Sequence, residues 1–190
     1  MLFGSEIYDR SLGRKRKLSL KHLFNLNLSG NPINADILFQ GNYNLAGYSL
    51  NTQGKLPWKI NAPKSWQKCF HSFVWLDDFS STNSETAAKH ARYLIKQWMI
   101  YFFKWNNLSW QIPIIAQRLE YWCRNSLFLT NGADKEFVSL FVTSISRQTR
   151  HLQRWNTLHS NIIDRIQFGL ALYISAISMH KNKTKALGLK

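Results

Sequence analysis

The sequence predicts an all-α protein with a short N-terminal extended or β-hairpin arm. Two observations carry this. From Ser65 to Met179 apolar residues recur with the 3.6-residue period of amphipathic helices, interrupted only by short polar segments. Ahead of that region, Ile37–Leu50 (ILFQGNYNLAGYSL) alternates in character and is flanked by glycines and prolines.

Taken in order, residues 1–35 read as a basic, irregular segment. Arg14–Lys17 is a cationic cluster open to two readings, a solvated run or a localisation or nucleic-acid patch. Leu18–Leu28 is compatible with a short helix, and Gly30-Asn31-Pro32 breaks the chain. In the arm, Gly41-Asn42 is a turn signal, with Tyr43 and Leu45 on one face; Gly54, Pro57 and Pro63 then hold Trp58 outside regular structure. Trp66, Phe70, Phe73 and Val74 begin the helical region. Thr82 and Glu85 have capping-box spacing, and Ala87, Ala91, Leu94, Ile95, Trp98 and Phe102 keep the helical period across Glu85–Phe103. In Trp110–Leu129, Pro113 suits a first helical turn, and Ile115, Leu119 and Trp122 fall on one side. Asn131-Gly132 stops that helix and Asp134 caps the next, whose stripe is Phe137, Phe141, Ile145, Leu152 and Trp155. Asn161 and Asp164 open a last helix to Met179, and a Lys-rich tail, 181–190, frays from it. About five helices with short connections make antiparallel hairpins. Periodicity alone leaves a closed bundle, a solenoid and a curved ring open.

Composition bounds the class. A chain of 190 residues, 45% hydrophobic, with eight Trp and twelve Phe, builds one real core, placed here at 36–180. The net charge of +15 favours polyanionic partners: nucleic acid, anionic lipid or acidic polysaccharide. Six basic and two acidic residues lie in 1–35, and four lysines in 180–190. The longest apolar run, Phe168–Met179, is too short to span a bilayer. Met1–Lys17 lacks the apolar core of a signal peptide, which makes the cytoplasm the default expectation for an otherwise unknown compartment. Cys69 and Cys123 read as small buried hydrophobes, and no Cys/His spacing suits a metal. No glycine-rich loop suits a nucleotide cofactor, and no nucleophile elbow is present.

Three constellations remain. Arg118 precedes Trp122 by four residues, a spacing at which a guanidinium can lie on an indole; the pair is either the edge of a buried helix or part of a groove for an anionic or sugar-like ligand. Arg147, Arg150 and Arg154 share a helix face, either solvated or an anion strip that would support a nucleic-acid-binding or scaffold module as the alternative function. Asp77-Asp78 reads as a surface pair at a helix end, since adjacent side chains diverge.

The order of these residues resembles the heparinase II/III-like family. The run GNYNLAG followed by LPWKINAPKSWQKCFHSFVWLDDF is similar to its arm and first Trp-containing helix, with His71, Phe73, Trp75 and Leu76 in the His-x-Phe-x-Trp-Leu positions. Trp110-x-Pro with Arg118 and Trp122, and Arg147-Gln148 with His151-Leu152, resemble two later helices. The likeness covers roughly residues 35–180 and implies part of an α/α toroid. Members are polysaccharide lyases that take the proton α to a uronic carboxylate and eliminate the 4-linked sugar, which needs a charge neutraliser and a base. No position here matches the family's catalytic residues, so none is assigned and activity stays uncertain. The resemblance implies a truncated or split N-terminal toroid domain, an acidic polysaccharide as partner, and a second chain carrying the rest of the lyase. The substrate-binding candidates are Arg118, Trp122, Trp110, His71, Trp75, Arg147, Gln148 and His151.

Overall fold

A computed structural model describes residues 3–13, 18–20, 30–154 and 161–181, and it is mostly helical. The basic cluster at 14–17, Trp155 and the tail beyond 181 lie outside the described residues.

Helix α1 (Glu6–Leu12) is capped by the Ser5 hydroxyl. Strand β1 (Leu18–Leu20) takes the first residues of the stretch Leu18–Leu28 expected as a short helix and is fixed by long-range pairing rather than local period; 21–28 lie outside the described residues. Helix α2 (Pro32–Phe39) starts where a break was expected. Asn31 accepts from the Ile33 amide and Pro32 takes the first turn, so the breaking residues are a helix start. This helix absorbs Ile37–Phe39 from the predicted arm.

The rest of the arm is a hairpin, β2 (Asn42–Leu45) and β3 (Tyr48–Asn51), with Tyr43 and Leu45 buried and Asn44 exposed. Its turn is Ala46-Gly47, both with positive φ (50° and 80°), the type I′ geometry that matches strand twist. Gly41, expected at that turn, instead carries the chain out of α2 with φ 78°. Trp58 sits in a single turn of tight helix, Pro57–Lys59.

Helix α3 (Lys64–Ser72) ends when Phe73 takes a left-handed conformation (φ 63°), splitting the first predicted stripe. Helix α4 (Leu76–Ser81) follows. In α5 (Glu85–Phe102) the N-cap position is held by Ser84, not Thr82, and its side chain makes no capping hydrogen bond. The Thr82 hydroxyl donates to the Phe79 carbonyl and accepts from the Ser84 amide, bracing the turn before the helix. Glu85 instead pairs with Arg92 at 2.6 Å.

Helix α6 (Ile112–Arg124) and the short α7 (Ser126–Thr130) divide the region predicted as one helix. Gly132 (φ 68°) follows, and Asp134 caps α8 (Lys135–Gln153) by accepting from the Phe137 amide at 2.6 Å. Asn161 caps α9 (Ile162–Ser178) by accepting from Asp164. Strand β4 (Met179–Lys181) pairs antiparallel with β1, joining the two ends of the described chain.

Helix α6 is the centre, packed by α3, α8 and α9. Its Ile115, Leu119, Trp122 and Cys123 are fully buried. Around it, Phe73 and Trp98 stand edge-on to Trp122 at 5.1 and 5.4 Å, and Trp66, Phe70 and Trp75 stack in series. No helix among the described residues is long and apolar enough to cross a membrane.

Candidate functional site

The site is best built from Arg118, whose side chain is wholly buried in the middle of α6. Its Nε donates to Gln148 Oε1 at 2.6 Å. One terminal nitrogen donates to the His71 carbonyl at 2.8 Å and the other to the Ser109 carbonyl at 2.9 Å. Among the described residues no carboxylate accepts from it. Burial lowers its pKa from the ordinary arginine value, and two features oppose that. His71 lies in the last turn of α3, where carbonyls lack helical partners and carry the negative end of the dipole. The guanidinium also lies 4.2 Å from the Trp98 ring centre, a cation–π contact. The stacking partner is therefore Trp98, not the Trp122 expected from i,i+4 spacing. Trp122 packs against Phe73, Trp98 and Phe141, and its indole N–H has no partner among the described residues.

Each acceptor is itself positioned. Gln148 Nε2 donates to Ser144 Oγ at 3.1 Å, which orients the amide. Asn106 Oδ1 accepts from the Leu108 and Ser109 amides and from the Ser109 hydroxyl, fixing the turn that presents the Ser109 carbonyl. His71 Nδ1 accepts from Trp98 Nε1 at 2.9 Å, so its proton is on Nε2. Burial, then the Arg118 charge, lowers the His71 pKa to about 3.

A second cluster adjoins the first. Trp110 Nε1 donates to the Phe102 carbonyl at 2.9 Å, and its ring meets His151 edge-on at 5.3 Å. His151 shares a 2.6 Å hydrogen bond through Nδ1 with the Tyr8 hydroxyl. Burial lowers its pKa to about 4, although a hydrogen bond to the Trp110 backbone opposes the shift. Trp75 closes the set on the other side, stacked on Phe70 and donating to its carbonyl.

The arginine strip does not face solvent as a unit. Arg147 pairs with Asp9, Arg150 donates to the Leu12 carbonyl and Ser146, and Arg154 donates to Ser11. Three guanidinium groups thus clamp α1 across 138 to 143 residues of sequence. Asp77 is likewise not a surface residue. It is 6% exposed and accepts from Arg124 and Asn125, whereas Asp78 takes the Asn31 amide at the start of α2. The two carboxylates do diverge, as adjacency predicts.

All eight sequence candidates are buried, and six of them meet in the two adjoining clusters or pack directly on them, whereas Trp75 packs on Phe70 and Phe73 and Arg147 on Asp9 and Phe103. Trp75 lines a cavity of about 200 Å³ with Asn34, Asn44, Val74 and Asp78. A second cavity of about 190 Å³, lined by Gln40, Thr52, Lys55, His90 and Tyr93 among others, includes none of them. Sequence reasoning missed Trp98, Ser109, Asn106 and Tyr8 as members. The spacing Asn106-x-x-Ser109 was the one local signal, since a short Asx-type turn presents a backbone carbonyl. Among the described residues no group of His, Cys, Asp and Glu could hold a metal ion. Cys123 is buried, and burial raises its thiol pKa to about 12.

Compared with models of protein families, with curated proteins and with solved structures, the chain has no match.

Proposed function

We propose that this chain is the N-terminal helical region of a heparinase II/III-like protein: the opening arc of an α/α toroid that contributes acidic-glycan binding and does not perform elimination alone. One observation supports this reading above the others. The segments that carry the resemblance converge in space. The Tyr43 carbonyl of the arm accepts from Trp66, the His71 carbonyl of the first helix from Arg118 of the second, and Arg118 reaches Gln148 of the third. Motifs that share an order in sequence and a meeting point in the core are what a common packing scheme would select.

In this reading the eight candidates hold the arc together. Glycan contact falls to exposed basic side chains of a chain with net charge +15. Elimination would require a neutraliser for the uronate and a base at its α proton. His71 and His151 are neutral, buried and hydrogen-bonded inside the core, so neither is offered for that task.

The test is a titration with heparin, dextran and duplex DNA at matched ionic strength, with the ultraviolet absorbance of unsaturated uronate followed in parallel. The reading predicts heparin binding that exceeds dextran binding and weakens as salt rises, with no absorbance change. Heparin binding no stronger than dextran binding would remove the glycan role. Tighter binding to DNA than to heparin would favour a nucleic-acid module. Product absorbance would show that the chain is a complete lyase.

A further inference from the structure

Helix α9 has two apolar faces, and among the described residues only one is covered. Ala171, Ser175 and Ser178 are buried, with Phe168, Leu172 and Ile174 packed partly against the core. On the opposite face Ile162 is 68% exposed, Ile163 63%, Ile166 64%, Leu170 45%, Tyr173 64% and Ile177 38%. Five of these, Ile163, Ile166, Leu170, Tyr173 and Ile177, follow one another at spacings of three, four, three and four. That is the 3.5-residue repeat of a helix paired along its length with another helix. Small residues interrupt the stripe at Gly169 and Ala176, and a Cβ built on Gly169 meets nothing within 4 Å. Among the exposed side chains of α9 the one charge is Arg165. The inner face carries Asp164, Gln167 and two serines, so the uncovered side is the more uniformly apolar one.

We propose that this face is a self-association surface, covered by α9 of a second copy of the chain in antiparallel orientation. Area supports a stable pair. The exposed stripe amounts to roughly 700 Å² per copy, beyond the few hundred Å² of apolar patch usual on a monomer. Two copies would remove up to about 1,400 Å², within the range of standard stable interfaces. Shape supports the orientation. A two-fold axis between Gly169 and Leu170 sets each Leu170 against the gap at Gly169 of the other copy. The same axis sets Tyr173 against Ile166, Ile177 against Ile162 and Ile163 against Ala176. A two-fold contact requires such self-complementarity. Charge supports it as well. Antiparallel pairing separates the two Arg165 side chains by about 13 Å along the axis, nine residues at 1.5 Å rise, beyond the screening length of about 8 Å at physiological salt. Parallel pairing would place them side by side on two chains that each carry +15.

Sedimentation equilibrium of the full chain between about 1 and about 100 µM tests this. The expected result is a mass rising with concentration from 22.3 kDa toward twice that value. Ile166→Glu and Tyr173→Glu alter exposed positions and should keep the helical circular dichroism while weakening the dimer by at least roughly 100-fold. Mixing Ile162→Cys and Ile177→Cys variants should give a cross-linked dimer under mild oxidation that neither variant gives alone. A monomer at the highest concentration overturns the proposal. So does a dimer that survives both glutamate variants, or cross-linking by each cysteine variant alone. None of these outcomes depends on glycan binding.

Discussion

His71 and His151 set the pH response at the scale of single residues. Each is an uncharged imidazole: His71 Nδ1 accepts from Trp98, and His151 Nδ1 shares a hydrogen bond with the Tyr8 hydroxyl. Protonating His71 would turn that acceptor into a second donor facing the indole N–H, which can only donate. Both pKa values lie below the ordinary 6.5, at about 3 and about 4. Between the folded and unfolded values the unfolded chain binds more protons, so stability is full above pH 6.5 and falls as pH drops toward 4. Moving from pH 7 to pH 5 should cost about 2 kcal/mol for each histidine. Urea unfolding at the two pH values measures this, and His71→Gln should lessen the loss; equal stability at both would contradict the assignment. These environments were not legible in the sequence. A histidine in a helical pattern carries no mark of the tryptophan, 27 residues away, that will donate to it.

Elements were more legible where their determinants are local. Asp134 and Asn161 cap α8 and α9 as their spacing predicts, because a cap needs only the next three residues. Elements were misread where two local signals compete. Gly30-Asn31-Pro32 reads as a break and is also a helix start. Gly41-Asn42 and Ala46-Gly47 are both turn-like, and the hairpin uses the second. Gly30 is needed for close approach, since a Cβ there would lie 2.0 Å from the Asp77 carbonyl oxygen. Gly30→Ala should therefore push the start of α2 off α4 and destabilise by about 3 kcal/mol or more, read as a lower denaturation midpoint. A change under about 0.5 kcal/mol would mean that the contact yields freely. Ala46 occupies a left-handed conformation that asparagine tolerates better. Ala46→Asn should raise stability by roughly 0.5–1 kcal/mol in the same assay.

For the whole molecule, distant segments are joined by charge as well as by apolar packing. The arginines that look like an anion strip on α8 hold α1 through Asp9, Ser11 and Leu12, with Tyr8 buried beneath. No local pattern foretells this, because the partners lie 138 or more residues upstream. Arg147→Ala should loosen α1 and speed tryptic cleavage after Arg10 about tenfold, an opening cost near 1.4 kcal/mol, with the helical dichroism retained. An unchanged cleavage rate would show that the clamp is idle. The same limit hid the role of Arg118: its helix and burial side were readable, but its acceptors come from three other segments.

The most direct measurement is equilibrium urea unfolding of Arg118→Met. The substitution keeps volume near the core and leaves the His71 and Ser109 carbonyls and the Gln148 amide oxygen without their donor. With three buried acceptors orphaned, stability should fall by about 4 kcal/mol, a large share of the 5–15 kcal/mol typical of a domain. A variant as stable as the parent would contradict the claim that the motif-bearing segments are held together at this buried guanidinium.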